Sequence, residues 1–201
     1  MNKLLPIAIL LLVAVIFAGC GGKTQGTSIT ATTAGKIESQ PVTTGEANMR
    51  VASSAFSNNG NIPEKYARRG AGGDNISIPL EWAGAPEGTK SFALVMVDTS
   101  ARNWIHWLVI NIPAKTSALA EGASGKNMPG SSKELANTFG EVGYGGPQPP
   151  PGSGAHDYVT TIYALNVGGL DLPQRISYDD FLQSLNGKVL AKASITGTLS
   201  R

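Results

Sequence analysis

Short apolar runs alternate with clusters of Gly, Pro, Asn and Ser over much of the chain, a rhythm that predicts strands and turns. Residues 91–98, SFALVMVD, are almost unbroken apolar, as expected of a central strand buried on both faces. WIHWLVINIP (104–113) follows after five residues, a spacing that predicts a hairpin. Further strands are expected at 49–56, 76–82, 157–167 and 188–200, with Pro79 marking an edge or an irregular start. In the last of these, Val189, Ala191, Ala193 and Ile195 share one face, and Lys192, Ser194 and Thr196 the other. One helix is expected late in the chain. Ser177 caps it, Asp180 stands three residues on, Phe181, Leu182 and Leu185 form its apolar side, and Gly187 stops it. The weakly patterned stretch 114–142 reads as loops with a short helix. These elements predict a mostly β, antiparallel sandwich with one or two short helices.

Before residue 48 the texture differs. Met1-Asn2-Lys3 precedes fifteen apolar residues, LLPIAILLLVAVIFA, and then Gly19-Cys20. This is the layout of a secretory signal, and the run is short for a spanning helix, which takes about 20 apolar residues. Cys20 is the one cysteine of the chain, and Phe17-Ala18-Gly19-Cys20 resembles the lipobox of prokaryotic lipoproteins. On that reading residues 1–19 are a signal peptide and Cys20 is lipidated. The domain then sits at the cell membrane, facing the periplasm or the exterior, and no thiol remains for a disulfide. Residues 20–47, rich in Thr, Gly and Ser, read as a flexible tether of roughly 30 Å, and 48–201 as one folded domain.

Composition narrows the partners. A formal charge of +2 without a basic run gives no sign of nucleic acid, and the pair Arg68-Arg69 reads as a solvated loop. The chain has only two histidines, His106 and His156. Strand alternation places Trp104, His106 and Leu108 on one face, and His156 with Tyr158 on one face. Asp98 ends the buried run, where a carboxylate needs a partner, a turn to cap or the mouth of a pocket. Residues 143–154, GYGGPQPPPGSG, crowd five glycines and four prolines into twelve positions just ahead of His156.

The strings VMVDTSARNWIHWLVINIP and GYGGPQPPPGSGAHDYVTTIYAL resemble the two signature blocks of the phosphatidylethanolamine-binding protein family, in its prokaryotic Raf-kinase-inhibitor-like branch. The resemblance spans about residues 49–201 and implies a Greek-key β-sandwich with a small anion pocket. Asp98 matches the first acid of the family's Asp-Pro-Asp-x-Pro block, and Trp104 and His106 match the Trp and His that follow it. Gly146, Gln148, Pro149 and Pro150 fall on the pocket loop, and His156 and Tyr158 on the His-x-Tyr pair. Thr99-Ser100-Ala101-Arg102 stands where the rigid prolines and second acid of that block are found. Asp157 stands where a basic residue is common, and the last strand is not followed by the C-terminal helix of eukaryotic members.

The expectation is a non-catalytic module without cofactor or metal. Both imidazoles and the glycine-loop N–H groups would hold a phosphate-bearing or carboxylate ligand. Asp98 would orient His106 or receive an ammonium tail. The family resemblance extends the partners to a protein kinase or protease. Two rival readings are a serine-protease inhibitor acting through the 99–103 or 114–135 loop, and a metal-dependent hydrolase built on the histidines and Asp98.

Overall fold

The computed structural model describes residues 48–201; the expected signal peptide, the expected lipidation site Cys20 and the expected tether lie outside the described residues. Nine strands form two sheets. A three-stranded sheet runs β1 (Arg50–Ala52), β3 (Leu80–Ala83), β6 (Ala118–Leu119). A six-stranded sheet runs β2 (Gly60–Asn61), β9 (Val189–Leu199), β8 (His156–Leu165), β4 (Ser91–Asp98), β5 (Trp104–Pro113), β7 (Lys133–Glu134). All pairings are antiparallel except β2 with β9, so the larger sheet is mixed rather than antiparallel throughout.

The unbroken apolar run of β4 has its reason in two cores. Phe92, Leu94 and Met96 face a core shared with Trp82 and Leu80 of the small sheet. Ala93, Val95 and Val97 face a second core closed by Phe181 of helix α1 (Tyr178–Ser184) and by Leu185, its C-cap. Every β4 side chain is therefore buried, as the absence of polar alternation requires. Helix α1 begins as expected, with the Ser177 hydroxyl accepting the Asp180 N–H at 3.1 Å, and Gly187 lies beyond its end at φ +70°.

Several expectations need correction. The 49–56 run is a strand over only three residues, and 76–82 only from Leu80, consistent with Pro79 removing a ladder donor. The stretch 114–142 holds no helix. Glycines in the left-handed region at 122, 125 and 130 break it, and the two-residue strands β6 and β7 carry its pairing. Glu134 fastens it, accepting from the Trp107 indole at 2.7 Å, the Ser124 hydroxyl at 2.5 Å and the Gly125 N–H at 2.8 Å.

The glycine/proline loop is held by close backbone approach. A Cβ on Gly146 would stand 2.2 Å from the Tyr66 carbonyl oxygen and 2.6 Å from the Arg68 nitrogen, both main-chain atoms that cannot swing aside. Arg68 N–H donates to the Pro147 carbonyl at 3.0 Å, which ties the same two segments. Gly146→Ala is therefore expected to cost roughly 3 kcal/mol by overpacking, whereas Gly168→Ala, with open space around the added methyl, should be neutral. Denaturant midpoints of the two variants check the contrast.

Candidate functional site

Register brings the predicted residues together. Asp98, the last residue of β4, pairs with Trp104 on one side and with Tyr158 on the other, so three strands end at one place. Beside that end the 147–154 loop closes a cavity of about 400 Å³. Asp98, Trp104, His106, Gln148, Pro149, Pro150 and His156 all line it.

A β-bulge aims His106. Val97 pairs with Ile105 while Met96 pairs with Trp107, so His106 is the extra residue on β5. Trp107 consequently packs in one core, and Ile105 and Leu108 in the other. This corrects the expected alternation: Leu108 does not share the face of His106. Although only 2% exposed, the imidazole is oriented by hydrogen bonds. Its Nδ1 lies 2.7 Å from the Gly145 carbonyl oxygen and 3.1 Å from that of Gly146. Carbonyls only accept, so Nδ1 carries the hydrogen and Nε2 keeps its lone pair in the neutral ring. Burial pushes the His106 pKa below its ordinary value; the Gly145 carbonyl and the Asp98 carboxylate oppose this in part.

Asp98 orients His156 rather than His106. Its Oδ2 stands 2.7 Å from His156 Nδ1, and both groups are buried. Its Oδ1 accepts the Ser100 N–H at 2.9 Å, capping the 3₁₀ turn Thr99–Ala101, so the pairing and turn-capping readings hold together. On the other ring nitrogen, His156 Nε2 meets the Ser153 hydroxyl at 3.0 Å, while that hydroxyl donates to the Pro150 carbonyl at 2.8 Å. The Asp98 carboxylate, which only accepts, takes the Nδ1 hydrogen, and Ser153 occupies Nε2. Neither imidazole thus presents a free N–H to the cavity.

The glycine N–H groups are also taken. Gly145 donates to the His106 carbonyl at 2.8 Å and Gly146 to Asn75 Oδ1 at 2.7 Å. Gly146 therefore stands behind the wall, where its carbonyl positions His106. Tyr158 lies in the core beneath that ring, with centroids 5.1 Å apart. Its hydroxyl has no protein hydrogen-bond partner of ordinary geometry; burial and then the nearby Asp98 charge raise its pKa. Asp157 points outward, as expected.

Three contributors escaped the sequence reading. Phe139 meets Trp104 and His106 edge to face, at 5.4 and 5.5 Å between centroids. The Arg68 guanidinium lies 4.0 Å from the Phe139 ring centroid and makes a two-pronged bond to Glu141 at 2.6 and 2.8 Å, so it is not a freely solvated loop residue. Arg201 lines the cavity, and its carbonyl accepts the Gly152 N–H at 3.0 Å. Among the described residues no three His, Cys, Asp or Glu side chains converge as metal ligands would.

The phosphatidylethanolamine-binding protein family model matches residues 52–200. The chain belongs to that family. A relative from Aquifex aeolicus, a UPF0098 protein, is 42% identical over 159 residues, spanning 78% of this chain and 91% of its own. LppC of Mycobacterium tuberculosis, named as a candidate lipoprotein, is 30% identical over 201 residues, 94% of this chain and 92% of its own. The crystal structure of YbcL from Escherichia coli, described as a member of the mammalian family, superposes with a TM-score of 0.72 at 32% identity, covering 77% of this chain and 99% of YbcL. These family members share the fold that brings the site together; the arrangement of Ser153 and Arg201 described above is read from this chain alone.

The depressed pKa of His106 has a thermodynamic consequence. The unfolded ring takes up a proton near pH 6.5, whereas the folded ring resists it, so His106 opposes folding increasingly as pH falls below about 6.5. The unfolding free energy of the wild type should fall over that range, and His106→Gln should flatten the slope. Urea titrations between pH 7.5 and 5 measure both.

Proposed function

We propose that this chain is a non-catalytic binding module, anchored to a membrane through Cys20, whose cavity captures a small oxyanion such as a phosphate-bearing headgroup or metabolite. The observation that carries this reading is the single cavity on which the Asp98–His156 pair, His106, Gln148 and Arg201 converge from distant stretches of chain. Asp98 is hydrogen-bonded to His156, and Arg68 is engaged by Glu141. Arg201 is the arginine lining the cavity, and its side chain has no ion pair among the described residues. Trp104, Phe139 and the prolines supply apolar walls, which strengthen electrostatic contacts by excluding water. The anchor rests on the lipobox-like Phe17-Ala18-Gly19-Cys20 and on the likeness to LppC over nearly the whole chain.

The non-catalytic reading rests on how the histidines are engaged. Ser153, His156 and Asp98 stand in hydrogen-bonded sequence, as nucleophile, base and acid do in hydrolases. Here, however, the Ser153 hydroxyl donates to the Pro150 carbonyl at 2.8 Å, which draws its hydrogen away from the ring that would have to act as base. Binding partners at the envelope, a kinase or protease included, would act on this module through the ligand it holds.

Titration of the purified full-length protein, in mild detergent, with inorganic phosphate and phosphoethanolamine tests the reading. Chemical-shift changes at the His106 ring and the Arg201 guanidinium are expected at millimolar ligand. If neither group responds, the cavity is not an oxyanion site.

A further inference from the structure

The chain contains two Asn-Gly dipeptides, Asn59-Gly60 and Asn186-Gly187. A glycine after asparagine leaves the next main-chain nitrogen unshielded, because no Cβ blocks its approach. Such a nitrogen attacks the asparagine's own side-chain amide carbon when it is free to turn toward it. The fold treats the two dipeptides differently.

Asn59-Gly60 is held on both sides. The Asn59 N–H donates to the Thr196 carbonyl at 2.7 Å, and the Gly60 N–H to the Ser57 carbonyl at 2.7 Å. Gly60 also pairs with Gly197 where β2 lies beside β9. Its nitrogen cannot turn toward the Asn59 side chain without breaking these bonds. Asn186-Gly187 lies in the turn after α1, and both residues are exposed. The Lys188 N–H closes that turn on the Leu185 carbonyl at 2.9 Å, but the Gly187 N–H meets no main-chain acceptor among the described residues. Asn166 reaches only the carbonyl of Gly187, at 3.3 Å. Open space surrounds Gly187 where a Cβ would stand, so nothing packs against the attacking atom.

We propose that Asn186 is a site of spontaneous modification, converted to aspartate and isoaspartate by its own main chain. The Gly187 nitrogen bonds to Asn186 Cγ, and the bond from Cγ to Nδ2 breaks. Ammonia departs, taking up the hydrogen that Gly187 gives up, and a cyclic imide remains. Water then opens the ring. Cleavage at Cγ gives aspartate; cleavage at the main-chain carbonyl gives isoaspartate, whose backbone runs through the side-chain carbon. The new carboxylate stands on the rim of a groove of about 350 Å³ between α1 and β9, where Lys192 supplies the charge among the lining residues. Modification therefore neutralises a cationic groove. It also alters the turn just ahead of Val189, where β9 begins and first pairs with Leu165. The site is independent of what the cavity at the other end of β8 holds.

Incubation of the purified full-length protein at pH 8, followed by pepsin digestion in acid and mass spectrometry, tests the inference. The peptide holding Asn186 is expected to gain the mass of an amide-to-acid change at least about tenfold faster than the peptide holding Asn59, the factor that one retained hydrogen bond sets. The rate at Asn186 should rise with hydroxide concentration, because the attacking nitrogen must lose its hydrogen. In concentrated urea the two rates should converge, since unfolding frees Gly60. Asn186→Gln, at an exposed position that leaves the fold intact, should remove the acidic species seen on isoelectric focusing. Equal rates at the two asparagines in the folded protein would overturn the inference. A gap that persists in urea would trace the difference to neighbouring residues and overturn the role given to the fold.

Discussion

The site depends on two carbonyl oxygens, those of Gly145 and Gly146, set 2.7 and 3.1 Å from His106 Nδ1. They fix which ring nitrogen holds the hydrogen, and with it the chemical face that the cavity presents. The carbonyls are in place because Gly146 packs against the main chain of Tyr66, Ala67 and Arg68 at distances that admit no Cβ. The ring is in place because a bulge opposite Met96 and Val97 turns His106 out of the ladder. A backbone contact in one loop and an extra residue in one strand thus decide which ring nitrogen of His106 carries the hydrogen at the cavity. Bulges of this kind are commonly found beside functional sites.

Electrostatics follows from the same frame. Burying Asp98 alone would be costly, and His156 offsets that cost within hydrogen-bonding distance. Ser153 occupies the ring's remaining nitrogen. Arg201 lines the cavity, while Arg68 spends its charge on Glu141 and its flat face on Phe139. The family's fold is common to YbcL and this chain.

Much of the fold was legible because the signals were local. The apolar run at 91–98, the following hairpin and the Ser177 cap each depend on neighbouring residues, and each appears where expected. The convergence of Asp98, Trp104, His106 and His156 was legible through strand alternation and family blocks. Other features depend on distant atoms. Counting by twos along 104–108 cannot reveal a bulge, so Leu108 was placed on the wrong face. The glycine N–H groups looked free because their acceptors, Asn75 and the His106 carbonyl, lie far along the chain or on the same wall. Arg201 and Phe139 reach the cavity only after sheet pairing and loop packing are complete. Segment 114–142 has no period of its own because Glu134, rather than a regular ladder, organises much of it.

The tautomer of His106 is the quantity on which the account rests, and its two ring nitrogens report it separately. Long-range ¹H–¹⁵N correlation spectra of the wild-type protein at pH 7.5 should show Nδ1 at a protonated, pyrrole-like shift and Nε2 at an unprotonated, pyridine-like shift. A ring protonated at Nε2, or at both nitrogens, would mean that the loop carbonyls do not set its state, and would contradict the account.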